Sequence, residues 1–147
     1  MTKGLSPQGK WLLVGVSLGG LLMIYVFQRA DFYSILFKPE SHSNLAFIVN
    51  KSVRLIVNDV LCLVLIYALF EEKKYVALAS WVLLFELFIV MPFYFWIKLK
   101  MEGDSEISSP LLSQIHRLVV NPMLMGILII GLYYQKYWAK KSNENEV

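Results

Sequence analysis

Four long apolar runs, at residues 11–27, 55–70, 76–97 and 118–134, constrain this chain more than any other feature. Short charged clusters separate them. An α-helix rises 1.5 Å per residue, so about 20 apolar residues cross the hydrocarbon core of a bilayer. A chain of 147 residues has no need of four such runs for a soluble core. Apolar residues make up 57% and charged residues 17%, against roughly half and a quarter in an average soluble domain. The sequence therefore predicts an all-α, polytopic membrane helical bundle. Its four transmembrane helices fall at about 11–27, 53–70, 76–97 and 118–135. Residues 1–138 read as a single transmembrane domain and 139–147 as a disordered charged tail.

Lys3 and Lys10 precede the first run, as basic residues precede the apolar core of a signal peptide. This run is longer than such a core, however, and Phe27-Gln28-Arg29-Ala30-Asp31 lacks the small-x-small cleavage pattern. A retained helix is expected. Phe32, Tyr33, Ile35, Leu36 and Phe37, followed by Lys38-Pro39, form an aromatic patch suited to the membrane–water boundary. Glu71-Glu72-Lys73-Lys74 makes a tight turn between the second and third runs. Pro92 falls within the third run, where it removes a backbone hydrogen bond and is expected to bend the far half. Residues 98–116 read as a polar loop, with Gln135, Lys136, Tyr137 and Trp138 as the boundary belt of the last helix.

The net charge is +3 and the isoelectric point about 8.9. The basic residues flank the apolar runs, so headgroup contact and orientation account for them. No basic strip with interleaved aromatics lies in a water-exposed segment, and no nucleic-acid partner is expected. The termini and the short turn carry Lys3, Lys10, Lys73, Lys74, Lys136, Lys140 and Lys141. The two long loops carry Arg29, Lys38, Lys51, Arg54, Lys98, Lys100 and Arg117. Taking Arg54 and Arg117 as members of the bundle tips the balance, and the termini are expected in the cytoplasm.

Arg54-Leu-Ile-Val-Asn58 aligns with Arg117-Leu-Val-Val-Asn121 at an offset of 63 residues, and eight of the seventeen positions from Arg54 to Phe70 are identical. A duplicated helix hairpin and two helices with the same polar start both explain the match. Either way, Arg54, Asn58 and Asp59 come to about the same depth as His116, Arg117 and Asn121. Asn50, Arg54 and Asn58 share one helix face. Asp59 is five residues from Arg54, about 140° around the helix, which suggests pairing with Arg117. Asn121-Pro122 is a helix-start signal, since Asn caps and Pro suits the first turn. The fourth helix either begins anew there or runs on with a kink.

Polar side chains at membrane depth are costly and point to function by default. The Arg54, Asn58, Asp59, His116, Arg117 and Asn121 cluster is thus a candidate partner-binding site, with an interhelical clamp as the plain alternative. Glu86 is an intramembrane acid with no sequence-local partner. Hydrogen bonding between helices is its plain reading, since a proton relay would show further acids along a path. No catalytic residue is assigned. Cys62, the single cysteine, lies roughly 12 Å deeper than Arg54 by helical rise, too far for a Cys–His pair with His116. His42 falls in a loop. No metalloprotease, nucleophile-elbow, phosphate-loop or CxxC motif occurs, so no enzyme, cofactor or metal is expected.

The assembled residues resemble a known family. Asn50-Lys51, Arg54, Asn58-Asp59 and Leu65-Ile66-Tyr67-Ala68-Leu69-Phe70 form one half of the pattern. Ser113, His116-Arg117-Leu118, Asn121-Pro122 and Tyr133-Tyr134-Gln135 form the other. Over about residues 30–136 the chain resembles the exosortase F system-associated membrane proteins of Bacteroidetes. Where that pattern has a proline before the closing aromatics, this chain reads Ile130-Gly131-Leu132. The resemblance implies a bacterial inner-membrane accessory protein. Its implied partner is a polytopic exosortase-type enzyme or the C-terminal sorting segment of that enzyme's substrate. A small transporter-like or lipid-binding protein using Glu86 and the same cluster is the alternative.

Overall fold

A computed structural model describes residues 6–27, 33, 43–101 and 110–145. The described residues are all-helical apart from short turns. The elements are α1 (Pro7–Val26), α2 (Ser43–Phe70), α3 (Lys73–Phe85), a π-turn (Glu86–Val90), α4 (Met91–Met101), α5 (Pro110–Val120) and α6 (Met123–Asn145). Three helical units are long and apolar enough to cross a membrane: α1, most of α2, and α3 through α4 taken together. The pair α5 and α6, bent by 57° at their junction, makes a fourth if counted as one span. The all-α bundle read from the sequence is the observed fold class.

Ser6 starts α1 by accepting a hydrogen bond from the Gly9 amide at 3.2 Å, with Pro7 in the first turn. Lys10 pairs with Glu71 at 3.1 Å, which sets the start of α1 beside the end of α2 and makes the two antiparallel. Small residues form their seam. Ser17 is fully buried and returns its hydroxyl to the Leu13 carbonyl. At Gly20 an added Cβ would lie 2.9 Å from a Leu61 methyl, so the Leu61 side chain of α2 packs directly on the glycine backbone of α1. The outer face of α1, including Trp11, Leu12, Leu22 and Met23, is exposed, as a lipid-facing surface should be.

The turn from α2 to α3 takes two residues. Glu71 adopts a left-handed φ of 57° and returns its amide to the Tyr67 carbonyl at 2.9 Å, a helix stop usually made by glycine. Two apolar clusters fill the bundle. One joins Cys62, Ile66 and Phe70 of α2 to Ala79 of α3 and to Met125 and Leu132 of α6. The other joins Leu55 of α2 to Met91 and Tyr94 of α4 and to Leu112 and Val119 of α5.

Between the clusters the third span changes its winding. Pro92 has no amide proton and its ring crowds the carbonyl four residues back. The chain responds with a π-turn, in which the Met91 amide bonds to the Glu86 carbonyl five residues earlier. The extra residue keeps Ala79, Glu86, Met91, Tyr94 and Lys98, all buried, on one continuous face. Without it, the interval of five between Glu86 and Met91 would turn the far half away from the core.

Three expectations are corrected. Residues 110–116, read as part of a polar loop, belong to helix α5, which buries Leu112 and Val119 and packs the half-buried Ile115, at helical spacing, against α2 and α4. Residues 139–145, read as a disordered tail, continue α6. The stretch contains neither glycine nor proline, and extending an existing helix is far easier than starting one. Lys98, counted as a loop charge, is buried on α4 with its ammonium 4.6 Å from the Phe47 ring centre. His42 and, apart from Tyr33, the aromatic patch at 32–37 lie outside the described residues.

Candidate functional site: a polar cleft and a buried acid pair

Asn121-Pro122 interrupts the fourth span. The Asn121 amide closes α5 on the Arg117 carbonyl at 3.2 Å, and the Gly126 amide opens α6 on the Pro122 carbonyl at 2.9 Å. Helix termini leave amides and carbonyls without intrahelical partners, so a break at this depth needs polar company. It faces a cavity of about 180 Å³ lined by Leu21, Ile24 and Tyr25 of α1, Arg54 and Asn58 of α2, and Asn121 and Pro122. At roughly 30 Å³ per water molecule, this is room for about six waters or one small polar group. Arg54 and Asn58 are both buried. The start of α6 adds the positive end of its dipole.

The structure thus gathers Arg54, Asn58 and Asn121 around one cleft. His116 lies beside it on α5, and its Nδ1 is 2.6 Å from the hydroxyl of the buried Tyr94. Lys51, Arg54, Lys98 and Arg117 all act electrostatically on His116, which makes this end of the bundle strongly basic. Arg117 itself is exposed, so the two arginines matched by the internal repeat occupy unlike environments. Asn50 Oδ1 accepts the Tyr33 amide at 2.7 Å.

Asp59 departs from the expected arrangement. It faces away from Arg54, as helical geometry requires, but its partner is Glu86 and not Arg117. Asp59 and Glu86 are close enough to act on each other electrostatically, and both are buried. Among the described residues no ion pair joins Asp59 to Arg117. The acid pair lies between the two apolar clusters, with Cys62 one turn further along α2.

Sequence reasoning missed Tyr94, Lys98 and the α1 side of the cleft. Tyr94 sits inside an apolar run with nothing to single it out, and the α1 residues are ordinary apolar filler. Lys98 offered a signal, since it lies six residues beyond Pro92 on an unbroken helical pattern. Among the described residues no three His, Cys, Asp or Glu side chains are placed to hold a metal ion. No protein-family model, curated protein or solved structure matches this chain.

Proposed function

We propose that this chain is a non-enzymatic membrane accessory protein that docks a membrane-embedded partner through the cleft between α1, α2 and the α5–α6 break. The supporting observation is the cleft itself: a buried arginine and two asparagines at a helix break, walled by apolar side chains of α1. An arginine fork takes a carboxylate or a pair of carbonyls from an incoming segment, and asparagine supplies both donor and acceptor. The residue pattern resembling exosortase F system-associated proteins names the partner class. It is a polytopic exosortase-type enzyme of a bacterial inner membrane, or the sorting segment of its substrate, with the termini of this chain in the cytoplasm. His116 and Arg117 extend the basic surface beside the cleft, while Asp59 turns inward and takes no part.

Co-purification of the tagged chain with an exosortase-type enzyme from one membrane tests the reading. Complex formation is expected for the native chain and is expected to fall for Arg54→Ala combined with Arg117→Ala. Undiminished complex formation by that double variant would sink the residue assignment.

A further inference from the structure

The cleft has a definite depth. The Lys10–Glu71 pair marks one boundary of the α1–α2 hairpin. Arg54 stands seventeen residues before Glu71 on α2, about 26 Å away by helical rise. That puts it just inside the far edge of a hydrocarbon core about 30 Å thick, next to the phosphate layer. The α1 wall agrees, since Leu21, Ile24 and Tyr25 belong to the last turns of α1 before it ends at Val26.

The cleft also opens sideways. Tyr25 and Asn121 line it and are themselves exposed, so its mouth lies on the outer surface of the bundle. Leu18, Leu22 and Tyr25 are all exposed and stand at helical spacings of four and three. They form one apolar stripe on α1, running from the mouth toward the middle of the bilayer.

The lining selects the occupant. Among the described residues that line the cleft, Arg54 is the only charged one; it is 9% exposed and no acid accompanies it. The matching occupant carries one negative charge and several acceptors. A guanidinium fork fits two oxygens of a phosphate, and the side-chain amides of Asn58 and Asn121 add donors. The start of α6 favours an anion as well. The space of about 180 Å³, roughly six waters' worth, admits a phosphodiester and leaves acyl chains outside. The ammonium of a zwitterionic headgroup would find no acid in this lining.

We propose that the phosphodiester of an anionic phospholipid occupies the cleft, held by Arg54, Asn58 and Asn121, with an acyl chain along Leu18, Leu22 and Tyr25. The proposal rests on the reading of the cleft as a binding site and names its resident ligand, which an incoming partner displaces.

The full-length protein, purified alone in non-ionic detergent, is tested by native mass spectrometry with phosphatidylglycerol, phosphatidylcholine and inorganic phosphate. Phosphatidylglycerol is expected to bind at least about tenfold tighter than phosphatidylcholine, and inorganic phosphate is expected not to displace it. Arg54→Ala is expected to weaken phosphatidylglycerol binding by at least about tenfold. Lys100→Ala, which removes an exposed cation at the same end of the bundle but outside the lining, is expected to leave it unchanged. In liposomes, phosphatidylglycerol with a diazirine beside its headgroup is expected to label the native chain at Leu21–Tyr25 or Asn121–Pro122. Equal binding of the two lipids overturns the proposal, as does labelling confined to other segments. Equal losses in Arg54→Ala and Lys100→Ala overturn it in favour of diffuse surface charge. Displacement by inorganic phosphate overturns it in favour of a free-anion site. Lipid preference and labelling are read on the native chain, so they decide the matter even if Arg54→Ala fails to fold. No partner enters these measurements, so a failed co-purification counts against docking alone and absent lipid binding counts against the lipid site alone.

Discussion

Replacing Gly20 with alanine introduces one methyl group where the Leu61 side chain of α2 packs on α1. That carbon would fall 2.9 and 3.0 Å from the two Leu61 methyls and 3.6 Å from Leu61 Cγ. Ordinary carbon contacts are about 3.5–4.0 Å, so the end of Leu61 must retreat by roughly half an ångström or more. A leucine moved off its rotamer costs about 0.5–1.5 kcal/mol. Against this, alanine favours a helix over glycine by up to about 1 kcal/mol, and the net effect of Gly20→Ala alone is small. Gly19 separates the two contributions, because a Cβ there meets nothing within 4 Å. Gly19→Ala keeps the backbone benefit without the clash, and the difference between the two variants isolates the clash at about 1 kcal/mol. Pairing Gly20→Ala with Leu61→Ala gives the methyl its space. The cycle of single and double variants is then expected to show favourable coupling of about 0.5–1.5 kcal/mol, within the range found for residues in contact. Equilibrium unfolding in mixed dodecylmaltoside and sodium dodecyl sulfate micelles, followed by circular dichroism, measures all five chains. Equal stabilities for the Gly19 and Gly20 variants, or strict additivity with Leu61→Ala, would refute this account of the helix seam.

Further outcomes follow from other elements. Tyr94→Phe removes the 2.6 Å contact with His116 and is expected to lower stability by about 0.5–1.5 kcal/mol in the same unfolding assay; an unchanged midpoint would count against the contact. Deleting the exposed Phe88 together with Pro92→Ala converts the π-turn to ordinary helix and is expected to leave a monodisperse, folded protein. Inserting one alanine beside Phe88 instead turns Met91, Tyr94 and Lys98 by about 100°, and loss of a cooperative unfolding transition is expected. Glu71→Gly relieves a left-handed side-chain residue, a strain of about 1–2 kcal/mol, while giving up an exposed pair with Lys10 worth about 1 kcal/mol at most. Its unfolding midpoint is expected to be unchanged or slightly higher, and a marked drop would show that the pair with Lys10 holds the turn.

The helical class was legible because length and apolarity suffice to mark a helix that crosses a bilayer. The break at Asn121-Pro122 was legible as one of two alternatives, since both residues carry strong local preferences. Helix α5 could have been found from Leu112, Ile115 and Val119, whose spacing is helical, but the surrounding serines and charges masked it. The π-turn had no signature beyond Pro92. A proline announces a disturbed helix without saying whether the chain bends or takes up an extra residue, and that choice fixes which side chains of α4 face inward. For the same reason the partner of Asp59 could not be read. Counting turns along α2 correctly separates Asp59 from Arg54, but which neighbour meets it depends on how a second helix is rotated. That rotation is set by packing around Met91 and Tyr94 and not by the local sequence of either acid.

The break between α5 and α6 also fixes what this region can become. Backbone amides and carbonyls at a helix end inside a bilayer have no lipid to satisfy them. Arg54, Asn58 and Asn121 line the cavity at this break, so exchanging all three for leucine would leave the ends of both helices facing an apolar wall. Mending the helix first, by removing Pro122, would straighten the span and close the space that the polar groups surround. Hollow and polarity are thus a single inheritance of this backbone, and a variant keeps both or forfeits both.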